Sequence, residues 1–181
     1  MRVPRTFVFV DLSGFTNYTA AFGDDAAGRV LSTFRGIVRM VASDRGVRIA
    51  KWLGDGCMIV AVDQCEAIEF ILDLKHRAAD VCAPLTVRAG LATGHPLLFE
   101  GDDYIGSSVN MASRLCDHAR GFEVLMPTMQ LDRLPDGITA IPFGEVELRG
   151  FPGPVDVVDL RGVPQPVASD VPDTWERSPF G

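Results

Sequence analysis

The sequence is poor in the features that mark zinc proteins, secreted proteins, membrane spans and nucleic-acid binders. Its four cysteines, Cys57, Cys65, Cys82 and Cys116, form no CxxC pair, and His76, His95 and His118 stand at no zinc-ligand spacing. Reduced, buried or half-buried thiols in a cytoplasmic protein are therefore expected. No apolar run is long enough to cross a bilayer and no N-terminal apolar h-region is present, so neither a membrane partner nor secretion is expected. Positive charge is also short: 17 Lys and Arg stand against 24 Asp and Glu, a net charge of −7. Broad binding to nucleic acid or an anionic membrane needs a basic patch, and this balance argues against it. A nucleotide substrate stays open, because metal ions and a few local cations can neutralise phosphates. There is no internal repeat.

What is present suits one domain of ordinary size: 181 residues, 47% of them hydrophobic. The apolar run 6–10 predicts a strand that ends at Asp11. Leu31, Phe34, Val38 and Val41 fall at helical spacing within about 24–43. Residues 47–53 and 57–62 read as two strands joined by Gly54-Asp55-Gly56, and Asp-Gly is a strong hairpin signal. A second helix is expected over about 65–81, then strands over 85–92 and near 96–99. Residues 101–108 read as a loop leading into a helix over about 108–119, followed by a strand at 122–126 and a hairpin of 144–148 with 155–160. The order β-α-β-β-α-β predicts an α+β fold, a ferredoxin-like or palm-like sandwich with additional C-terminal strands. Residues 1–162 are expected to form this domain, and 163–181, with Pro164, Pro166, Pro172 and Pro179, a Pro-rich tail.

Three segments can carry chemistry. In Phe9-Val10-Asp11-Leu12-Ser13-Gly14-Phe15-Thr16 a strand delivers a carboxylate beside a turn and a helix start. Free backbone N–H groups there can bind phosphate, and the carboxylate can hold a hard cation on it. Asp11 could equally cap the next helix. In Lys51-Trp52-Leu53-Gly54-Asp55-Gly56 the aspartate could be a turn residue and Lys51 an exposed strand residue. If strand 1 lies beside this hairpin, Asp11 and Asp55 converge into a platform for two metal ions. In the third segment, residues 103–114, Asn110 and Arg114 are four apart on one helix face, off the Val109, Ala112 and Cys116 stripe. Their amide and guanidinium donors suit phosphate oxygens, and a solvated polar face is the alternative.

Together, F-V-D-L-S-G-F-T, K-W-L-G-D-G and D-Y-I-G-S-S-V-N-M-A-S-R-L resemble the class III adenylyl/guanylyl cyclase catalytic domain. V-R-A-G-L-A-T-G at 87–94 and L-R-G-F-P-G-P-V at 148–155 support the resemblance, which spans about 5–161. It implies that Asp11, Asp55 and the backbone carbonyl of Leu12 bind two divalent cations, Mg²⁺ or Mn²⁺. It further implies that Lys51 and Asp103 recognise the base, that Asn110 and Arg114 act on the transition state, and that Gly14, Phe15 and Thr16 line the phosphates. Arg149 stands where many members carry a lysine that contacts the terminal phosphates, and His95 stands where an acidic residue is common. The implied reaction is attack of the ribose 3′-oxygen of ATP on the α-phosphorus, giving 3′,5′-cyclic AMP and pyrophosphate at sites shared across a homodimer. Adenine offers an N6 donor and an N1 acceptor, which suit Asp103 and Lys51; guanine reverses both demands. No Gly-Gly-(Asp/Glu)-Glu-Phe segment supports a diguanylate cyclase. A regulatory nucleotide-binding module without turnover, or a competent domain silenced by a weak dimer, stays open.

Overall fold

The protein is described by a computed structural model covering residues 3–101 and 103–167. Strand β1 (Arg5–Ser13) leads through helices α1 (Phe15–Phe22) and α2 (Asp24–Asp44) to the hairpin β2 (Arg48–Leu53) and β3 (Gly56–Ala61). Helix α3 (Gln64–Val81) returns the chain to β4 (Thr86–Gly94). A small hairpin, β5 (Leu97–Phe99) with β6 (Asp103–Ile105), precedes helix α4 (Ser107–His118). Strand β7 (Val124–Pro127), a 3-10 turn (Thr128–Gln130), β8 (Ile138–Glu147) and β9 (Pro154–Gly162) complete it. The main sheet has seven strands in the order β2-β3-β1-β4-β7-β9-β8, while β5 and β6 form a separate two-stranded sheet. Strands β2, β3, β1 and β4 pair antiparallel and β4 pairs β7 in parallel. With α2 and α3 as crossovers, this is the expected βαββαβ sandwich extended by C-terminal strands.

Strand alternation on β1 splits the core in two. Val8, Val10 and Leu12 face α2 and α3, packing with Phe34, Val38, Ile68 and Ile71. Phe7 faces the other way, with Met58, Val60, Ala92 and Ala112 of β3, β4 and α4. On α2 the buried stripe is Val30, Phe34, Val38 and Val41, each contributing roughly 1.5–3 kcal/mol by burial. Helix α4 lies flat on β4 because Gly90 has no side chain: a Cβ there would stand 2.3 Å from both the Ala112 carbonyl oxygen and the Cys116 nitrogen. Asp63 caps α3 by accepting from the Cys65 N–H at 2.6 Å.

The sequence expectations need three corrections. Strand β1 continues two residues past Asp11, so that residue sits in the ladder and not at its end. Residues 15–22 form a helix of their own, and 101–108 contain β6 besides the turn into α4. Of the expected tail, Pro164 is buried and the Gln165 carbonyl accepts from Arg45 Nη2 at 2.9 Å. Residues 168–181 lie outside the described residues. No helix among the described residues is long and apolar enough to cross a membrane.

Candidate active site

Asp11 sits opposite Gly56 of β3 on one side and Arg88 of β4 on the other. Gly56 permits this close pairing: a Cβ there would stand 2.2 Å from the Val10 carbonyl oxygen. The next residue back, Asp55, is carried in the β2–β3 turn, close enough to Asp11 for the two charges to interact. Burial, then the nearby Asp11 charge, hold the Asp55 carboxyl above the usual carboxylate range. The two aspartates singled out in the sequence are thus brought together. The turn is braced from α2, where Arg35 Nη2 donates to the Gly54 carbonyl at 2.9 Å and the Arg35 guanidinium lies 4.9 Å from the Trp52 ring centroid.

Arg88 supplies the positive charge at this point. Its Nε and Nη2 donate to the Asp11 Oδ2 at 2.8 and 2.6 Å, while Nη1 donates to the carbonyls of Asp117 and Ala119 at 3.3 and 3.1 Å. An open cleft is lined here by Phe9, Val10, Asp11, Leu53, Gly56, Arg88, Ser113, Cys116 and Asp117. The Leu12 side chain is in the core, which leaves only its backbone for any ligand. Gly14 is the N-cap of α1, and Phe15 and Thr16 open that helix, where backbone N–H groups lack intrahelical acceptors. Among the described residues no group of three or more His, Cys, Asp and Glu could hold a metal ion. The acidic set is two carboxylates, which suits a hard cation that takes its remaining oxygens from a phosphate substrate.

The other expected residues lie in more than one place. Lys51 Nζ donates to Asp103 Oδ1 at 2.7 Å, with both side chains about half exposed. Asn110 is exposed on α4, and Arg114 pairs with Asp117 at 3.2 Å. Lys51, Asp55, Asp103, Asn110 and Arg114 are not among the residues lining the Asp11 cleft, but Asp117, the partner of Arg114, is. Arg149 is exposed beside Glu147, Leu148, Phe151 and Gly153, in a separate depression. His95 is exposed.

Two contacts of the candidate residues and their neighbours escaped sequence reasoning. Arg88 lies within the V-R-A-G segment, but its grip on Asp11 depends on a strand register joining residues 77 apart. Tyr104 accepts from Arg48 Nη2 at 3.1 Å, tying β6 to β2. No local pattern in the sequence signals either contact.

No family model matches the chain. An uncharacterized Mycobacterium tuberculosis protein is 35% identical over 164 residues, 91% of this chain and 43% of that protein. An adenylate cyclase of Streptomyces coelicolor is 32% identical over 126 residues, 70% of this chain and 33% of that protein. The chain therefore spans less than half the length of these relatives. Among solved structures, the adenylyl cyclase CyaB from P. aeruginosa superposes with a TM-score of 0.77 at 24% identity, over 92% of this chain and 97% of that one. The guanylate cyclase domain of RhGC from Catenaria anguillulae, solved with GTP, superposes at 0.76 and 17% identity, over 90% and 98%. Adenylyl and guanylyl enzymes share this architecture, so the fold leaves the choice of base to particular side chains. The chain has the catalytic-domain fold of the class III adenylyl/guanylyl cyclases, and an adenylate cyclase stands among its sequence relatives.

Proposed function

We propose that residues 1–162 form an adenylyl cyclase domain that converts ATP to 3′,5′-cyclic AMP and pyrophosphate. What supports this above all is the convergence of Asp55 on Asp11, which lines an open cleft together with the cation Arg88. Asp11, Asp55 and the Leu12 carbonyl would hold two Mg²⁺ or Mn²⁺ ions, which when bound acidify the ribose 3′-hydroxyl and offset phosphate charge. Gly14, Phe15 and Thr16 offer backbone N–H groups to the phosphates at the start of α1. Arg88 is already in the cleft and can turn its charge from Asp11 toward them.

The remaining roles fall to the other expected residues. Lys51 and Asp103 select adenine, the carboxylate accepting from N6 and the ammonium donating to N1. Arg114 places a guanidinium where the pentavalent phosphorus gains negative charge, and Asn110 orients the ribose. Losing such a charge contact costs ~10²–10³ in rate. Arg149 is a further cation for the terminal phosphates. Each chain carries both the acidic pair and Arg114, so a homodimer can build two equivalent sites, each taking its acidic half from one subunit and its Arg114 half from the other.

The test is cyclic AMP and pyrophosphate formation from ATP with Mg²⁺ or Mn²⁺, across a protein dilution series, with GTP as parallel substrate and Asp11→Ala as control. Cyclic AMP that disappears in the control, with activity per chain rising with concentration, is the expected result. Metal-dependent ATP binding without product at any concentration would instead mean a regulatory nucleotide-binding module.

A further inference from the structure

The β5–β6 hairpin makes no backbone ladder with the main sheet. Its strands have three residues each, and Leu97, Leu98, Phe99 and Ile105 are exposed. Asp103 nevertheless meets Lys51 at 2.7 Å. A half-exposed ion pair contributes only ~0–1 kcal/mol, too little to hold a three-residue strand in place. Something else must set the distance between these two side chains.

Strand β2 has an irregularity that prepares the contact. Arg48 pairs with Val60 and Ile49 with Ile59, but Lys51 then pairs with Met58, leaving Ala50 as a bulge. Without the bulge, Arg48 and Lys51 would point to opposite faces of the sheet. With it they oppose Val60 and Met58, which share the face packed by Phe7 and Tyr104. Arg48 Nη2 then donates to the Tyr104 hydroxyl at 3.1 Å, its guanidinium 5.7 Å from the ring centroid. The Tyr104 ring is seated edge-on against Phe7, centroids 5.3 Å apart, and Phe7 is fully buried on β1. Tyr104 is thus fixed at both ends, and Asp103 precedes it directly in the chain.

We infer that Tyr104 and Arg48 are positioning residues for base selection: they register β6 against the bulged β2 so that Asp103 and Lys51 are presented together to the purine edge. This rests on the adenine-selecting assignment of Lys51 and Asp103 above. Neither Tyr104 nor Arg48 touches the base; each acts through its neighbour on the strand. A purely structural latch would weaken all nucleotides equally, whereas a registering contact changes the preference between them.

The experiment measures binding of non-cyclisable ATP and GTP analogues to the full chain, with thermal melting alongside, for wild type, Tyr104→Phe and Arg48→Met. Tyr104→Phe keeps the ring on Phe7 and removes only the hydroxyl. The expected result is a three- to ten-fold loss of ATP-analogue affinity, the scale of one hydrogen bond (roughly 1 kcal/mol). GTP-analogue binding should be little changed. Equal losses for both analogues, or an unchanged ATP-to-GTP ratio in variants that melt like wild type, would overturn the inference. So would a wild type that binds both analogues alike. Preferential ATP binding without cyclic AMP formation would instead count against the catalytic assignment alone, leaving the registering role supported if the ratio shifts.

Discussion

Arg88 holds Asp11 through a single carboxylate oxygen, Oδ2, leaving the second oxygen outside that fork. Both side chains are about one-quarter exposed, so the pair is only partly screened by water. Replacing Arg88 by alanine leaves Asp11 and Asp55 facing each other without it. The expected outcome is a loss of about 1–2 kcal/mol in urea unfolding. Added Mn²⁺ should recover more stability in the variant than in wild type, because an ion then does the neutralising. Equal responses to Mn²⁺ in the two proteins would count against this division of charge.

The raised carboxyl of Asp55 gives a pH dependence with a definite sign. The folded state holds this proton at pH values where the unfolded chain has already released it. Its contribution to stability is fully present below the ordinary value of 3.8 and is lost as pH rises through the raised value. Asp55→Asn should therefore melt higher than wild type at pH 7 in the absence of metal, with the difference vanishing in acid. It should also abolish cyclic AMP formation. A variant that melts lower at pH 7 would mean that other Asp55 contacts outweigh its charge.

Gly56→Ala should damage the hairpin from within. The added methyl meets a backbone carbonyl at 2.2 Å, and no side chain can move aside. Destabilisation of about 1–3 kcal/mol or more is expected, with Mn²⁺ affinity falling as Asp55 leaves Asp11. Native-like melting combined with native Mn²⁺ binding would show that β3 can slide away from β1 at no cost.

Mixing two inactive chains tests the shared-site arrangement. Asp11→Ala lacks an acidic residue and Arg114→Ala lacks the guanidinium proposed to act on the transition state. In an equal mixture half the dimers are hybrids, and each hybrid has one intact site. Roughly a quarter of the wild-type sites should return. Dimers that form in the mixture yet stay inactive would exclude composite sites.

Much of this was legible in the sequence, where local periodicity was strong. Helix α2 announces itself through Phe34, Val38 and Val41, and the β2–β3 turn through Asp55-Gly56. Helix α1 gave a weaker signal because none of its eight residues is fully buried and only Phe15 and Tyr18 pack, half-buried, against the core. Strand β6 was invisible for a related reason: three residues outside the main sheet carry no alternation. The local pattern placed Asp11 at a strand end, whereas the ladder with β4 continues to Ser13. The motif segments named Asp11, Asp55, Lys51 and Asp103, but not what holds them. Arg88, Arg35 and Tyr104 act across long separations in sequence, through register and packing.

The bare contact at Gly90 has a further consequence for the proposed chemistry. Arg88 stands two residues before it on β4, and Asn110 and Arg114 ride on the helix laid across it. The offset between the acidic strand pair and that helix is therefore gauged by main chain against main chain. Main-chain atoms have fixed radii and no rotamers to change. The spacing between a chain's two half-sites is in effect machined, with a tolerance smaller than one methyl group.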